Sequence, residues 1–169
     1  MRDLKLTILI VAFSILPVIA LALIFGNRTN NGEEIDTKQP IEGIEIEPAF
    51  YNLGEVPINS GMVTREYQLK NVSQNTLKLK RIATSCMCTR ASFEIGTKKT
   101  KFFGMEGRGD RNPPINIEIP AGATAKVVVQ FDPAAHGPQG IGSFERSVYL
   151  TFSDPAGTKE LKFSGTVVN

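Results

Sequence analysis

Val63-Thr64-Arg65-Glu66-Tyr67-Gln68-Leu69-Lys70-Asn71, then Val72-Ser73-Gln74-Asn75-Thr76, then Leu77-Lys78-Leu79-Lys80 is the stretch from which the fold class follows. Val63, Tyr67 and Leu69 stand at even spacing before Asn71, and Leu77 and Leu79 do so after a polar turn at residues 71–75. Period-two alternation on both sides of a polar turn predicts two half-buried antiparallel strands, paired through that turn. Just beyond the second strand comes Ser85-Cys86-Met87-Cys88-Thr89, which holds both cysteines of the chain.

The same alternation recurs downstream. Residues 116–119 lead into the turn Ile119-Pro120-Ala121-Gly122, after which Ala125, Val127, Val129 and Phe131 alternate as far as Asp132-Pro133. Val148, Leu150 and Phe152 alternate next, residues 153–157 turn the chain, and Leu161, Phe163, Gly165 and Val167 alternate to the end. With an early strand at residues 44–51 this makes about seven short strands, and no stretch beyond the N-terminal segment has helical period and caps. The expectation is an all-β, immunoglobulin-like antiparallel β-sandwich. The lack of Trp and the closeness of the two cysteines argue against the antibody-type version, whose disulfide joins opposed sheets. Residues 96–114, with Phe102, Phe103, Met105 and little periodicity, read as a long irregular insertion, either functional or a plain surface loop.

Ahead of this domain, residues 6–25 form an uncharged apolar run, long enough at ~1.5 Å per residue to cross a hydrocarbon core ~30 Å thick. Arg2 and Lys5 precede it, so the positive-inside tendency predicts a cytoplasmic N-terminus at residues 1–5, a single transmembrane helix or signal anchor at residues 6–25, and an extracytoplasmic remainder. Ala20-Leu21-Ala22 offers the rival of a cleaved signal peptide and a secreted product. Residues 26–43 are polar and read as a tether, and residues 44–169 suffice for one exported domain.

In 169 residues, 19 Lys plus Arg against 17 Asp plus Glu leave a net charge of +2, with the signs interspersed. That balance gives no nucleic-acid surface, and Lys98, Lys99 and Lys101 read as a solvated loop.

The opening Leu53-Gly54-Glu55-Val56, the strand Tyr67-Gln68-Leu69-Lys70-Asn71 and the close Ser85-Cys86-Met87-Cys88-Thr89 together resemble the bacterial domain-of-unknown-function family 1573. The Ile119-Pro120-Ala121-Gly122 turn and the strand to Asp132-Pro133 are similar to that family as well. The resemblance implies an immunoglobulin-like sandwich related to Hydin-type and major-sperm-protein-type domains, exported or surface-anchored, without an assigned activity. Met87 stands where the family usually has Gly, and the insertion at residues 96–114 is a second departure.

Three readings of the cysteines compete. Residues two apart on a strand share a face, so Cys86 and Cys88 could present two thiolates together. With Met105 and His136 they would form a soft site for Cu(I), and less readily for Zn(II). Alternatively one cysteine packs in the core and the other lies at its edge. The third reading is a thiol-redox pair, for which a disulfide across one residue requires a bend away from extended strand geometry. His136 is the one histidine and lies among Gly137, Pro138, Gly140 and Gly142 in a tight connection; with no Gly-x-Ser-x-Gly elbow it gives no hydrolase constellation. The expected function is a membrane-anchored, non-enzymatic binding or scaffold module of the cell envelope. Its partners are the membrane, through residues 6–25, and a protein, recruited by default at an exposed edge strand; no cofactor is required. Copper handling is the alternative and thiol-redox chemistry the weaker one.

Overall fold

Alternation along these strands builds the two layers. The computed structural model describes residues 39–107 and 112–169. Among them ten strands follow in order: β1 (Ile44–Glu47), β2 (Phe50–Pro57), β3 (Val63–Asn71), β4 (Leu77–Thr84), β5 (Thr89–Ile95), β6 (Lys98–Lys99), β7 (Ile117–Ile119), β8 (Thr124–Phe131), β9 (Gly142–Asp154) and β10 (Ala156–Val168). One turn of 3-10 helix, Gly137–Gly140, precedes β9. The strands form two five-stranded sheets, β1-β3-β8-β5-β6 and β2-β10-β9-β4-β7.

The expected sandwich is present, with three corrections. First, β3 and β4 do not pair with each other. β3 pairs with β1 and β8, while β4 pairs with β9 and β7. Residues 71–75 therefore cross between layers, and the cause is Asn71. Its buried Nδ2 donates to Asn75 O at 2.8 Å and Ile119 O at 2.9 Å, while its Oδ1 accepts from Ser73 N at 3.0 Å and Ser73 Oγ at 2.7 Å. That grip bends the chain into an arch instead of a hairpin, over a gap of ~10 Å between sheets.

Second, ten strands replace about seven. Pro48 ends β1, so the stretch read as one strand at residues 44–51 serves both sheets in turn. β5 escapes the alternation test because Ala91, Ser92 and Phe93 are all buried. Its flank is covered by the insertion, where Ala91 and Phe103 exchange backbone hydrogen bonds at 2.9 and 2.8 Å. Third, β2 runs parallel to β10, so that sheet is mixed instead of antiparallel. A bulge interrupts this pair opposite Gly165, where Gly54 takes φ 65°.

The inner faces meet through aromatic side chains. Phe131 of β8 stacks on Phe144 of β9 at 4.4 Å and meets Phe163 of β10 edge-on at 5.7 Å. Tyr67 of β3 is fully buried and donates its hydroxyl to Lys162 O of β10 at 2.8 Å. Burial pushes the Tyr67 phenol pKa up, with a smaller contribution from Tyr51. Each such side chain contributes about 1.5–3 kcal/mol by leaving water, which supports a core with no staple between the sheets.

The expected cytoplasmic residues 1–5, the helix at residues 6–25 and most of the tether lie outside the described residues. Among the described residues no helix is long and apolar enough to cross a membrane. The end of the stretch read as tether is structured: Ile41 is buried, its N–H bonds Thr158 O at 3.2 Å, and Thr158 N–H bonds Gln39 O at 2.8 Å.

Candidate functional site

β4 ends at Thr84 and β5 begins at Thr89, so residues 85–88 turn from one sheet to the other. Side-chain and backbone bonds shape this turn. Thr89 N–H donates to Cys86 O at 3.1 Å, and the Thr84 hydroxyl is shared between Cys86 O and Thr89 O, each at 3.0 Å. Ser85 is held to β9 by two bonds, its N–H to Ser147 O at 3.0 Å and Ser147 N–H to Ser85 Oγ at 2.9 Å. Asp132 N–H donates to Cys88 O at 2.8 Å and ties the turn to the end of β8. Ser85 and Thr89 thus do structural work on either side of the cysteines.

The cysteines therefore do not share a strand face, as their spacing had suggested. The turn brings their Cα atoms to 5.2 Å, inside the ~4.4–6.8 Å that a disulfide spans, and Cys86 and Cys88 are joined as one. This is the bend that the redox reading required.

His136 reaches the same place from the connection between β8 and β9. Its Nε2 lies 3.1 Å from Cys86 Sγ, and the ligand atoms of Cys86, Cys88 and His136 all fall within 4.8 Å of one another. Gly140 leaves room for this histidine, since a Cβ there would stand 3.0 Å from His136 Cβ. Three of the four expected site residues converge in this way. Met105 is half-buried on the adjoining segment, next to Gly104, whose carbonyl accepts from Thr84 N–H at 3.3 Å. Once the disulfide is reduced, Cys86, Cys88 and His136 are the side chains able to hold a soft metal ion.

Arg146 also belongs to this site, and nothing in its local sequence marks it. It lies on β9, far along the chain from the cysteines, and its Nε–H donates to Cys88 Sγ at 3.3 Å. It is fixed by Nη1 donating to Glu145 O at 2.8 Å and by its guanidinium 5.7 Å from the centre of the Phe144 ring. No local pattern marks such a residue, because only sheet register sets it opposite the turn.

The loops around the cysteines share a second property. Of the five large hydrophobic side chains exposed among the described residues, Met62, Met87 and Ile141 lie on three connections at this end of the sandwich. Met62 precedes Val63, which pairs with Phe131, and Phe131 pairs in turn with Thr89; Ile141 precedes Gly142, which pairs with Val167. Phe50 lies on β2 and Val72 in the arch after β3, neither on these three connections. A wide depression of about 640 Å³ on β2, β10 and β9, lined by Asn52, Glu55, Ser143, Glu145 and Thr166, includes none of the expected site residues.

Residues 44–101 match the family described as "Protein of unknown function (DUF1573)". The family resemblance read from the sequence thus holds from β1 through the cysteine turn to residue 101, and the match ends before the 119–133 stretch. No curated protein matches the chain significantly. Among solved structures, a protein of unknown function from Porphyromonas gingivalis W83 aligns with a TM-score of 0.52 at 16% identity, over 80% of this chain and 51% of that one. This chain spans about half the length of that protein, and the likeness shows the fold. The ASH/PapD-like domain 7 of human CEP192 aligns at TM-score 0.45 and 17% identity, over 79% of this chain and 90% of that one. WR4, a C. elegans MSP family member, aligns at 0.41 and 12%, over 75% and 98%.

Proposed function

We propose that this chain is a non-enzymatic binding or scaffold module of the cell envelope, held to the membrane by residues 6–25 with the sandwich outside the cytoplasm. The observation that carries the reading is the grouping of exposed Met62, Met87 and Ile141 on three neighbouring loops. Loop clusters at the end of a sandwich are a common binding platform, and exposed apolar groups with flexible thioethers suit a protein partner. The edge strands are less suited to it: β1, β6 and β7 have four, two and three residues, and β2 is bulged. A Cys86–Cys88 disulfide supports placement in an oxidising compartment.

A photo-activated cross-linking residue placed at Met87 in cells, with one at Val72 as control, tests this reading. It expects a discrete protein adduct from the Met87 position and none from Val72. Adducts from Val72 alone would sink it.

A second reading is supported by the 4.8 Å cluster of Cys86, Cys88 and His136. In the reduced chain these groups supply the soft donors that Cu(I) favours, with Met105 on the adjoining segment. Cu(I) titration of the reduced chain against a competing chelator tests it; affinity indifferent to both Cys86→Ser and Cys88→Ser removes it.

A further inference from the structure

The two sulfurs of the disulfide have unlike surroundings. Cys86 is the outer one, 8% exposed against 3% for Cys88. The exposed His136 ring lies on Cys86 at 3.1 Å, and because a disulfide sulfur can only accept, Nε2–H is the donor. Cys88 is the inner one and receives Arg146 Nε–H at 3.3 Å. A guanidinium gains little from a neutral disulfide sulfur but makes a charge-assisted hydrogen bond to a thiolate. Arg146 is nevertheless held in place from two sides, by Glu145 O and the Phe144 ring. Cys86 also accepts the Cys88 backbone N–H at 3.2 Å, but that donor is neutral, so the charged donor on Cys88 favours the thiolate it becomes when the bond opens.

We propose that Cys86–Cys88 is a redox-active pair that exchanges two electrons with an external dithiol, Cys86 being the sulfur attacked and Cys88 the leaving sulfur. This goes beyond the binding reading and does not depend on it. The first thiol of the donor gives its proton to solvent, and its thiolate attacks Cys86 Sγ. A donor–Cys86 disulfide forms, the Cys86–Cys88 bond breaks, and Cys88 leaves as a thiolate held by Arg146. The second donor sulfur, its proton also lost to solvent, then attacks the first, closing the donor disulfide and expelling Cys86. The departing Cys86 thiolate accepts the His136 Nε2–H hydrogen bond and takes its proton from solvent. The donor is oxidised by two electrons and the pair is reduced by two. Of the two donor protons, one is balanced by the proton on Cys86 and one remains in solvent. A disulfide donor runs the sequence in reverse.

The test uses the full chain in detergent micelles, exposed to millimolar dithiothreitol, quenched in acid and labelled with a high-mass maleimide. The wild-type pair is expected to be reduced while the far-ultraviolet dichroism stays native. Losing the charge-assisted hydrogen bond makes Cys88 a poorer leaving sulfur, and the quality of the leaving sulfur enters the exchange rate directly. Arg146→Gln should therefore slow reduction by about 3- to 30-fold, and Arg146→Lys by less. Should Arg146→Gln fail to fold, Arg146→Lys and the site of attack decide. Oxidised glutathione added to the reduced wild-type chain and quenched in acid at the earliest times should show its mixed disulfide on Cys86 before Cys88 resolves it, located by fragment mass spectrometry. The proposal is overturned if the folded pair resists the dithiol, if the folded Arg146 variants react at the wild-type rate, or if the adduct sits on Cys88.

Discussion

Replacing Asn71 by Asp is nearly isosteric, so it changes hydrogen bonding at the arch without opening a cavity. Oδ1 keeps its bonds from Ser73 N–H and Oγ–H, but the donors to Asn75 O and Ile119 O are lost. Ile119 is fully buried, and an unsatisfied carbonyl there costs about 1–3 kcal/mol. Asn75 is exposed, so its carbonyl recovers water and the loss there is about 0.5–1 kcal/mol. Asn71→Asp should thus cost at least about 1.5 kcal/mol at neutral pH, with burial of the new charge adding to it. The pH dependence has a definite sign. Burial against two carbonyl oxygens raises the folded pKa of the new carboxyl above its unfolded value of about 3.9. Above that value the unfolded state releases the proton first, so stability falls as pH rises through the window up to the folded pKa. Urea unfolding of the full chain, followed by circular dichroism at pH 4 and pH 7, measures both effects. A variant within about 0.5 kcal/mol of wild type at pH 7, or one less stable at pH 4 than at pH 7 relative to wild type, would refute this account of the arch.

Gly165→Ala places a Cβ 2.8 Å from Gly54 O and 3.0 Å from Phe144 Cζ, and should cost about 1–3 kcal/mol in the same urea assay; an unchanged midpoint would show that β2 yields freely. Tyr67 should remain protonated in the folded chain while the unfolded chain ionises near pH 10, so stability is retained below about pH 10 and lost above it. An ultraviolet titration in which all three tyrosines ionise together in the folded chain would contradict this. Gly140→Ala should push His136 off Cys86 and slow dithiol reduction with little loss of stability, since the backbone there is ordinary; a rate equal to wild type would mean that the imidazole contact plays no part in exchange.

The sandwich was legible because the large apolar residues Tyr67 and Leu69 of β3, Leu77 and Leu79 of β4, Val148, Leu150 and Phe152 of β9, and Leu161 and Phe163 of β10 stand at period two and are buried. Partner choice was not, since alternation marks a buried face and says nothing of which sheet a strand joins. Asn71 looked like a turn residue, and its role in sending β4 to the opposite layer depends on Ile119, 48 positions later. β5 was missed because a covered flank removes its polar face. At the site, the nearness of Cys86 and Cys88 was plain and His136 could be suspected as the one histidine. Arg146 and the grouping of Met62 with Ile141 come from long-range register, for which no short pattern exists.

Cys86 and Cys88 are joined in the turn between β4 and β5, and both the proposed export and the proposed exchange require that bond to form in the cell. The most direct measurement is the state of those thiols in the cell, fixed by rapid acid quenching and counted by maleimide labelling of the full chain. The pair should be oxidised at rest, reduced after a brief pulse of membrane-permeant dithiol and oxidised again on washout. Two free thiols at rest and throughout would contradict both the exported placement and the redox role.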